Sequence, residues 1–271
     1  MKIPLYQVDA FATSIFQGNP AAVCALPYWI KEDTMQNIAM ENNLSETAFF
    51  VKNNDAYDIR WFTPTTEVDL CGHATVATAY CVFRYFQKNA TEIVFHTSKK
   101  GDLKVEKQND CIIIDFPLET IKKVDPPKQL ISSLGTSPQE TYKSNDDYLL
   151  IYKNSNDIVS ITPDFKTLAQ VESKGIIISA PGIDVDFVSR FFAPRLGVNE
   201  DPVTGSAHTK LTPYWADRLN KTDLTATQLS RRGGFLRCTL GSDRVYISGK
   251  AQIYLEGTIE IDSDLKLNDN K

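Results

Sequence analysis

The feature that most constrains the fold of this 271-residue chain is an internal repeat. Residues 60–64 (RWFTP) recur as residues 190–194 (RFFAP), 130 positions later. Further along, at a spacing of 133 positions, both halves contain the pattern E-x-x-x-x-G-x-A, beginning at Glu67 and at Glu200. Several matches in one consistent order indicate a duplicated unit, since a chance match would not keep its register. We therefore expect two similar domains of about 130 residues each.

The same repeat predicts one central helix in each half. A helical pattern follows each repeated glycine, over residues 73–87 after Gly72 and over residues 206–219 after Gly205. The first pattern is apolar nearly all round, which is typical of a helix enclosed by other elements. Pro213 lies inside the second pattern and predicts either a lost hydrogen bond or a kink. Short β-rich runs surround both helices, so the expected class is α+β, with a curved, mostly antiparallel sheet or barrel around each central helix.

The expected domain division follows from the repeat. We place the N-terminal domain at residues 1–118 and the C-terminal domain at 119–271, related by pseudo-symmetry, with the last strand of the chain free to return to the first domain. The Pro- and Lys-rich segment 121–127 reads as the linker. A further helix is predicted from Thr162 as N-cap to about Ser173.

Composition excludes several classes of partner. The chain is 42% hydrophobic and 23% charged, as in soluble globular proteins, and its formal net charge is −5. An acidic balance disfavours nucleic acid or an anionic membrane as the main partner. No run approaches the roughly 20 apolar residues of a membrane span, and the N-terminus lacks the pattern of a signal peptide, so we expect a cytoplasmic protein. The five cysteines are scattered and odd in number, and the histidines share no ligand spacing, so neither a disulfide framework nor a metal site is predicted.

The two repeated glycines mark candidate anion sites. A helix N-terminus carries unpaired N–H groups and a partial positive charge, which together attract a carboxylate or phosphate. If both helices begin at one interdomain cleft, that cleft suits a small carboxylate-bearing ligand. The alternative is that Gly72 and Gly205 serve only a tight strand-to-helix turn.

Four segments of the sequence also match a known family. They are GNPAAV at residues 18–23, NLSETAF at 43–49, RWFTP at 60–64 leading to DLCGHAT at 69–75, and EDPVTGSAH at 200–208. Together they resemble the PhzF-like family of phenazine-biosynthesis isomerases, over nearly the whole chain. The resemblance implies the diaminopimelate-epimerase-like fold, a homodimer, and isomerisation of a compound such as trans-2,3-dihydro-3-hydroxyanthranilate without metal or organic cofactor.

Site residues follow from the same resemblance. It makes Glu46 the general acid and base, supported by His73, Asp201 and Ser206, and it gives substrate binding to four further positions, which are Asn19, Gly72, Gly205 and Ala207. A single carboxyl group can take a proton from carbon and return it to another carbon of one conjugated system. Taken alone, His73 and His208 read equally well as structural histidines, Asp201 as an acid that complements the helix dipole and Ser206 as a helix cap.

Cys71 requires a separate interpretation. Related epimerases and proline racemases use two opposed cysteines, one before each repeated glycine, but here the repeat partner of Cys71 is Thr204. Threonine cannot supply the second thiol at neutral pH, so we favour the interpretation of Cys71 as a packed residue in the pocket wall.

Two alternatives to the isomerase remain open. One is an amino-acid epimerase in which Cys71 acts with a non-thiol partner, and the other is a binding or scaffold protein without turnover.

Overall fold

The computed structural model describes residues 1–262 and divides the chain into two compact units. Among the described residues, unit 1 comprises Met1–Asp115 with residues 248–262, and unit 2 comprises Phe116–Ile247. The sequence placed the division between residues 118 and 119 and left the last strand open. That strand, Ala251–Glu260, pairs with the first strand of unit 1.

Unit 1 contains nine strands and two helices among its described residues. The helices are α1 (Glu32–Asn42) and α2 (Gly72–Cys81), the second continuing into a π-helical turn at Val82–Phe86. The strands are β1 (Lys2–Ala10), β2 (Asn19–Leu26), β3 (Glu46–Asn53), β4 (Ala56–Phe62), β5 (Glu67–Val68), β6 (Glu92–Thr97), β7 (Gly101–Gln108), β8 (Cys111–Pro117) and β18 (Ala251–Glu260).

The sheet of unit 1 runs in the order β18, β1, β2, β3, β4, β6, β7 and β8, with β5 paired to β4. The β2–β3 and β4–β6 pairs are parallel because α1 and α2 connect them, and the other pairs are antiparallel. Helix α2 packs against β1, β2 and β3, and eight of its ten residues are buried. This burial matches a sequence that is apolar nearly all round.

Unit 2 contains nine strands and four helices. The helices are α3 (Lys128–Leu134), α4 (Ser155–Ser160), α5 (Phe165–Leu168) and α6 (Gly205–Leu219), with a 3₁₀ turn at Pro194–Leu196. The strands are β9 (Lys122–Lys123), β10 (Glu140–Lys143), β11 (Asp147–Ile151), β12 (Gly175–Pro181), β13 (Phe187–Ala193), β14 (Val198–Asp201), β15 (Asp223–Gln228), β16 (Gly234–Leu240) and β17 (Arg244–Gly249).

The order of elements in unit 2 repeats that of unit 1. The β11–β12 and β13–β15 pairs are parallel, and α4 with α5 and α6 connect them, in the places that α1 and α2 occupy in unit 1. Strand β11 is buried throughout, and all but the last residue of β12 are buried. These strands enclose an apolar core that includes Leu150, Ile178 and Phe192. The predicted α+β fold, with a mostly antiparallel sheet around a central helix in each half, is confirmed.

Two local predictions need correction. The helix expected from Thr162 to Ser173 is only α5, and its N-cap is Asp164, whose carboxylate accepts from the N–H groups of Lys166 and Thr167. Residues 122 and 123, read as part of a linker, form β9 and pair with β10. Helix α6 continues through Pro213, where one hydrogen bond of the helix is absent because proline has no N–H to donate.

Across the described residues, every helix is too short or too polar to cross a membrane.

Candidate active site

Unit 1 brings three of the predicted site residues together at one edge of its sheet. Asn19 is the first residue of β2, Glu46 is the first residue of β3, and His73 lies in the first turn of α2. Because β2 and β3 are parallel, with Ala21 opposite Glu46, both strands begin at the same edge. The N-terminus of α2 meets them there.

His73 is the centre of this cluster. Its Nε2 lies 3.0 Å from Oε2 of Glu46, and its Nδ1 lies 3.2 Å from Nδ2 of Asn19. The hydroxyl of Ser45 donates to Oδ1 of Asn19 at 3.4 Å. Asn19 is fully buried and His73 is 6% exposed, whereas 19% of the Glu46 side chain is exposed. Glu46 is therefore the most exposed side chain of these three.

Charge also favours a paired arrangement. Burial opposes a charge on the His73 ring, but the facing Cys71 and Glu46 groups favour it, and the pKa of His73 lies well above its ordinary value. Glu46 Oε2 and His73 Nε2 are both buried and face each other at 3.0 Å, so the two groups form a buried ion pair.

Cys71, which the sequence placed in the pocket wall, joins the same cluster through a contact with His73 that was not predicted. Its Sγ lies 3.5 Å from Nδ1 of His73, and the residue is 7% exposed. Burial raises the pKa of the thiol, the carboxylate of Glu46 raises it further, and His73 opposes both. The only signal in the sequence was the position of Cys71, two residues before His73 on the other side of Gly72.

Each repeated glycine is the first residue of a helix. The N-cap residues are Cys71 for α2 and Thr204 for α6, and, within residues 1–262, neither forms a standard side-chain cap, although the Ala74 N–H interacts with the Cys71 thiol. The first N–H groups of such a helix are free of intrahelical partners. A ligand carboxylate can take the place of the missing cap.

Unit 2 assembles a second group around Asp201 and Thr204. The Thr204 hydroxyl donates to the Asp201 carboxylate, and the Thr204 N–H donates to Oε1 of Gln228 at 2.9 Å. Nε2 of Gln228 donates in turn to the Asp201 carbonyl at 2.8 Å. Gln228 is fully buried at the end of β15 and holds both ends of the turn that precedes α6. No motif in the sequence pointed to it.

Ser206 is exposed in the first turn of α6 and is not its N-cap, so the capping interpretation of this residue is wrong. Its carbonyl accepts hydrogen bonds from the Thr209 hydroxyl at 2.7 Å and from Nζ of Lys210 at 3.1 Å. Gly205 and Ala207 beside it are buried. The Ser206 side chain is therefore exposed at a helix end whose backbone is held by the bonds from Thr209 and Lys210.

The other two histidines have different surroundings. Nδ1 of His208 lies 2.8 Å from the Thr204 carbonyl, and burial lowers the pKa of this fully buried ring to about 4. His96 pairs with Asp102 on the neighbouring strand at 2.7 Å, at the surface of unit 1. Within residues 1–262, no contact is seen between either histidine and the cluster around His73.

Known structures with low sequence identity share this fold. A hydroxyproline epimerase from Agrobacterium vitis, solved with bound trans-4-OH-L-proline, matches with a TM-score of 0.62 at 11% identity, over 99% of this chain and 96% of that chain. A probable proline racemase from Agrobacterium radiobacter matches with a TM-score of 0.63 at 9% identity, over 97% of this chain and 93% of that chain. The fold is therefore of the epimerase and racemase type.

The family is defined by much closer relatives. The chain belongs to the phenazine biosynthesis-like protein family, PhzC-PhzF, whose model matches residues 8–257. An uncharacterized isomerase of Pseudomonas aeruginosa is 46% identical over 96% of this chain and 100% of its own length. A crystal structure of a PhzF family protein from Enterococcus faecalis matches with a TM-score of 0.93 at 46% identity, over 96% of this chain and 100% of that chain. The chain is thus an isomerase of the PhzF family.

Proposed function

We propose that this isomerase moves a proton within a small carboxylate-bearing metabolite, with Glu46 as both general base and general acid and with no cofactor. The observation that carries the proposal is the 3.0 Å pairing of Glu46 with His73 at the N-terminus of α2. A carboxylate that is partly exposed, next to a buried imidazole, can reach a substrate while its position stays fixed. One group can then take a proton from one carbon and deliver it to another.

Each neighbouring residue has a role in this proposal. His73 orients the Glu46 carboxylate and compensates its charge, and Asn19 holds the His73 ring by its contact with Nδ1. The free N–H groups at Gly72 bind the substrate carboxylate and stabilise negative charge that develops next to it. We assign the same support to Gly205, Ser206, Ala207 and Asp201 in unit 2, where the first turn of α6 is uncapped in the same way.

The test is solvent-isotope incorporation in deuterium oxide, followed by NMR. The first compound is trans-2,3-dihydro-3-hydroxyanthranilate, followed by a panel of small unsaturated carboxylates. We expect deuterium at a substrate carbon with the unmodified enzyme and a loss of at least about 100-fold with Glu46→Gln, the usual contribution of a general base. Glu41→Gln, an exposed position near the end of α1, is the matched control and should keep full activity. Full activity of Glu46→Gln on any turned-over substrate would overturn the proposal.

A second candidate is favoured by the 3.5 Å contact between Cys71 and His73. A thiol beside an imidazole can act as the acid or base of an epimerase, with a non-thiol group on the opposite face. Proline and trans-4-hydroxyproline are the compounds to test, because the fold is shared with a hydroxyproline epimerase and a proline racemase. Under this candidate, Cys71→Ala abolishes inversion at the α-carbon, whereas an unaffected rate excludes it.

The non-catalytic alternative gives a different result in the same assay. A binding or scaffold protein would hold a carboxylate ligand at one equivalent per chain and leave it free of deuterium. Glu46, His73 and Asp201 all stand at the positions of the family motifs, which favours turnover.

A further inference from the structure

Unit 1 contains a cavity at the opposite end of α2 from the cluster around His73. Its volume is about 340 Å³, which is within the range of small-molecule sites, about 300 to 1,000 Å³. The lining comes from the end of α2 with its π-helical turn, from β7 and β8 with the turn between them, and from the start of β18. All of these residues belong to unit 1, and the acid/base cluster contributes none of them.

Part of the lining is apolar. Phe83, Ile112 and Ala251 contribute to it, and each of these residues is at most 6% exposed. Phe83 lies in the π-helical turn Val82–Phe86, a rare conformation that occurs frequently at functional sites. An apolar surface of this kind favours a ligand that removes its own apolar atoms from water.

The same cavity is also basic. Arg84, Lys107 and Lys250 line it, and they come from three separate parts of the chain. The carboxylate in the lining is Asp110, whose Oδ2 lies 3.4 Å from Nζ of Lys250 in an exposed pair. Three cations and one carboxylate leave a formal charge of +2, on a chain whose net charge is −5. A phosphate monoester carries about −1.5 to −2 charges at pH 7, so its charge matches this lining.

Two of the cations are held by aromatic rings. Nη1 of Arg84 donates to the Tyr80 hydroxyl at 2.9 Å, and Cζ of Arg84 lies 5.8 Å from the ring centroid of Tyr80 and 5.4 Å from that of Tyr85. Nζ of Lys107 lies 5.8 Å from the ring centroid of Phe83. In the part of the chain that the structure describes, neither Arg84 nor Lys107 forms an ion pair with a carboxylate. Both charges can therefore pair with an anionic ligand.

Helix α6 shows how the same arrangement is completed in unit 2. Tyr214 and Arg218 have the spacing of Tyr80 and Arg84, and Cζ of Arg218 lies 5.3 Å from the Tyr214 ring centroid. Arg218 also donates to the carboxylate of Glu140. In unit 2 the protein itself supplies the anion for this arginine, whereas Arg84 faces the cavity.

We propose that this cavity is a binding site for a small phosphate monoester that carries an apolar or aromatic group. Arg84, Lys107 and Lys250 bind the phosphate, since arginine can give it two parallel hydrogen bonds and lysine acts as a point charge. The apolar group packs against Phe83. Lys250 exchanges its contact with Asp110 for the phosphate at little cost, because an exposed ion pair contributes little to stability. The site does not depend on the function proposed above.

The experiment is isothermal titration calorimetry of the full chain with phenyl phosphate, in a buffer free of phosphate. We expect one equivalent to bind per chain. Inorganic phosphate and phenol should each bind at least about 10-fold more weakly, because the first lacks the apolar ring and the second lacks the charge.

Substitutions in the lining should change this affinity in both directions. Arg84→Gln and Lys107→Gln should each weaken binding of phenyl phosphate by at least about 10-fold, because each removes a charge-assisted contact. Asp110→Asn should strengthen binding by about 3-fold, since it removes the carboxylate that repels the phosphate and competes for Lys250. Asp110 is exposed, so this variant tests the site even if a substitution at Arg84 disturbs the fold.

Lys104→Gln is the matched control. Lys104 also lies on β7 but points to the opposite face from Lys107, where it pairs with Glu92 and Glu106, so this variant should bind like the unmodified chain. An equal loss of affinity in Lys104→Gln would indicate general charge attraction and overturn the site. Two further results would also overturn it, namely no binding of phenyl phosphate at millimolar concentration, or unchanged affinity in both Arg84→Gln and Lys107→Gln.

Discussion

Arg190 donates two hydrogen bonds to the carboxylate of Glu200, from Nε at 2.7 Å and from Nη2 at 3.1 Å. Arg60 and Glu67, the matching residues of the internal repeat, form the same two-pronged pair at 2.7 and 2.6 Å. The repeat thus preserves a specific contact, which joins β13 to β14 in one unit and β4 to β5 in the other. It does not preserve the residues of the acid/base cluster, because Ile176 stands where the repeat would place a second Glu46.

We predict that the two arginines contribute unequally to stability. Arg190 also donates to the carbonyls of Ile158 and Ile161, and its side chain is 11% exposed against 22% for Arg60. Removing Arg190 also leaves two carbonyls without their donor, so Arg190→Met should lower the free energy of unfolding by about 3 kcal/mol and Arg60→Met by about 1 kcal/mol. Urea denaturation measures both, and equal costs would contradict this ranking.

Lys210 gives a second prediction, since its ammonium group is almost completely buried. Nζ lies 2.9 Å from Asp147, 3.0 Å from Glu119 and 3.1 Å from the Ser206 carbonyl. Lys210→Met would leave the buried Asp147 carboxylate without its cation and should cost about 3 to 5 kcal/mol of unfolding free energy.

The controls for Lys210 test the electrostatic cause. Lys221→Met breaks an ion pair with Asp186 in which the lysine is 47% exposed, and it should cost less than about 1 kcal/mol. Adding Asp147→Leu to Lys210→Met removes the unpaired charge and should recover part of the lost stability. If the double variant is no more stable than Lys210→Met, the loss has another cause.

We predict that the buried His208 ring makes the protein less stable in mild acid. Its pKa is about 4 in the folded chain and about 6.5 when unfolded, so the unfolded state takes up the proton first. Its contribution to stability is complete above pH 6.5, falls as the pH drops from 6.5 to about 4, and is constant below that. Between pH 7.5 and 5 the loss should be about 2 kcal/mol. Denaturation at both pH values measures the free energy of unfolding of His208→Gln. This free energy should fall by about 2 kcal/mol less between pH 7.5 and 5 than that of the unmodified chain, and an equal fall would refute the assignment.

Gln228 provides a prediction about the turn before α6. Gln228→Leu would leave the Thr204 N–H and the Asp201 carbonyl without their buried partner, which should cost about 2 kcal/mol of unfolding free energy. Gln252→Leu is the control, because the Gln252 side chain makes an exposed bond to the Thr13 carbonyl, and it should change stability by less than about 0.5 kcal/mol. Equal effects of the two substitutions would argue against a special role for Gln228.

The sequence predicted the repeated helices better than the strand that carries Asn19. Helices α2 and α6 follow from apolar periodicity and a repeated glycine, which are local signals. Strand β2 was missed because Asn19, Pro20 and two alanines are poor strand formers, and its conformation depends on pairing with β1 and β3 on either side. Gly18 prepares this pairing with φ of +69°, where a Cβ atom would lie 2.1 Å from the Ala10 carbonyl oxygen.

The cluster around His73 was predicted only in part for the same reason. Glu46 and His73 were identified from family motifs, but their contact depends on the packing of α2 against β3, which no short segment encodes. Cys71 was expected to be a packed residue in the pocket wall. Its contact with the His73 ring depends on the conformation of the chain at the start of α2. Gln228 could not be found at all, since a glutamine near the end of a polar strand reads as a solvent-facing residue.

The pairing of β1 with β18 has a consequence for how the protein is made. Strand β1 lies between β2 and β18, and its register with β18 extends from Lys2 with Glu260 to Ala10 with Ala251. A ribosome produces β1 before unit 2 and β18 after it. Unit 2 is one continuous stretch and can fold while the chain is still growing. We therefore expect unit 1 to complete its sheet after unit 2 has been synthesised, with one edge of β1 unpaired until then.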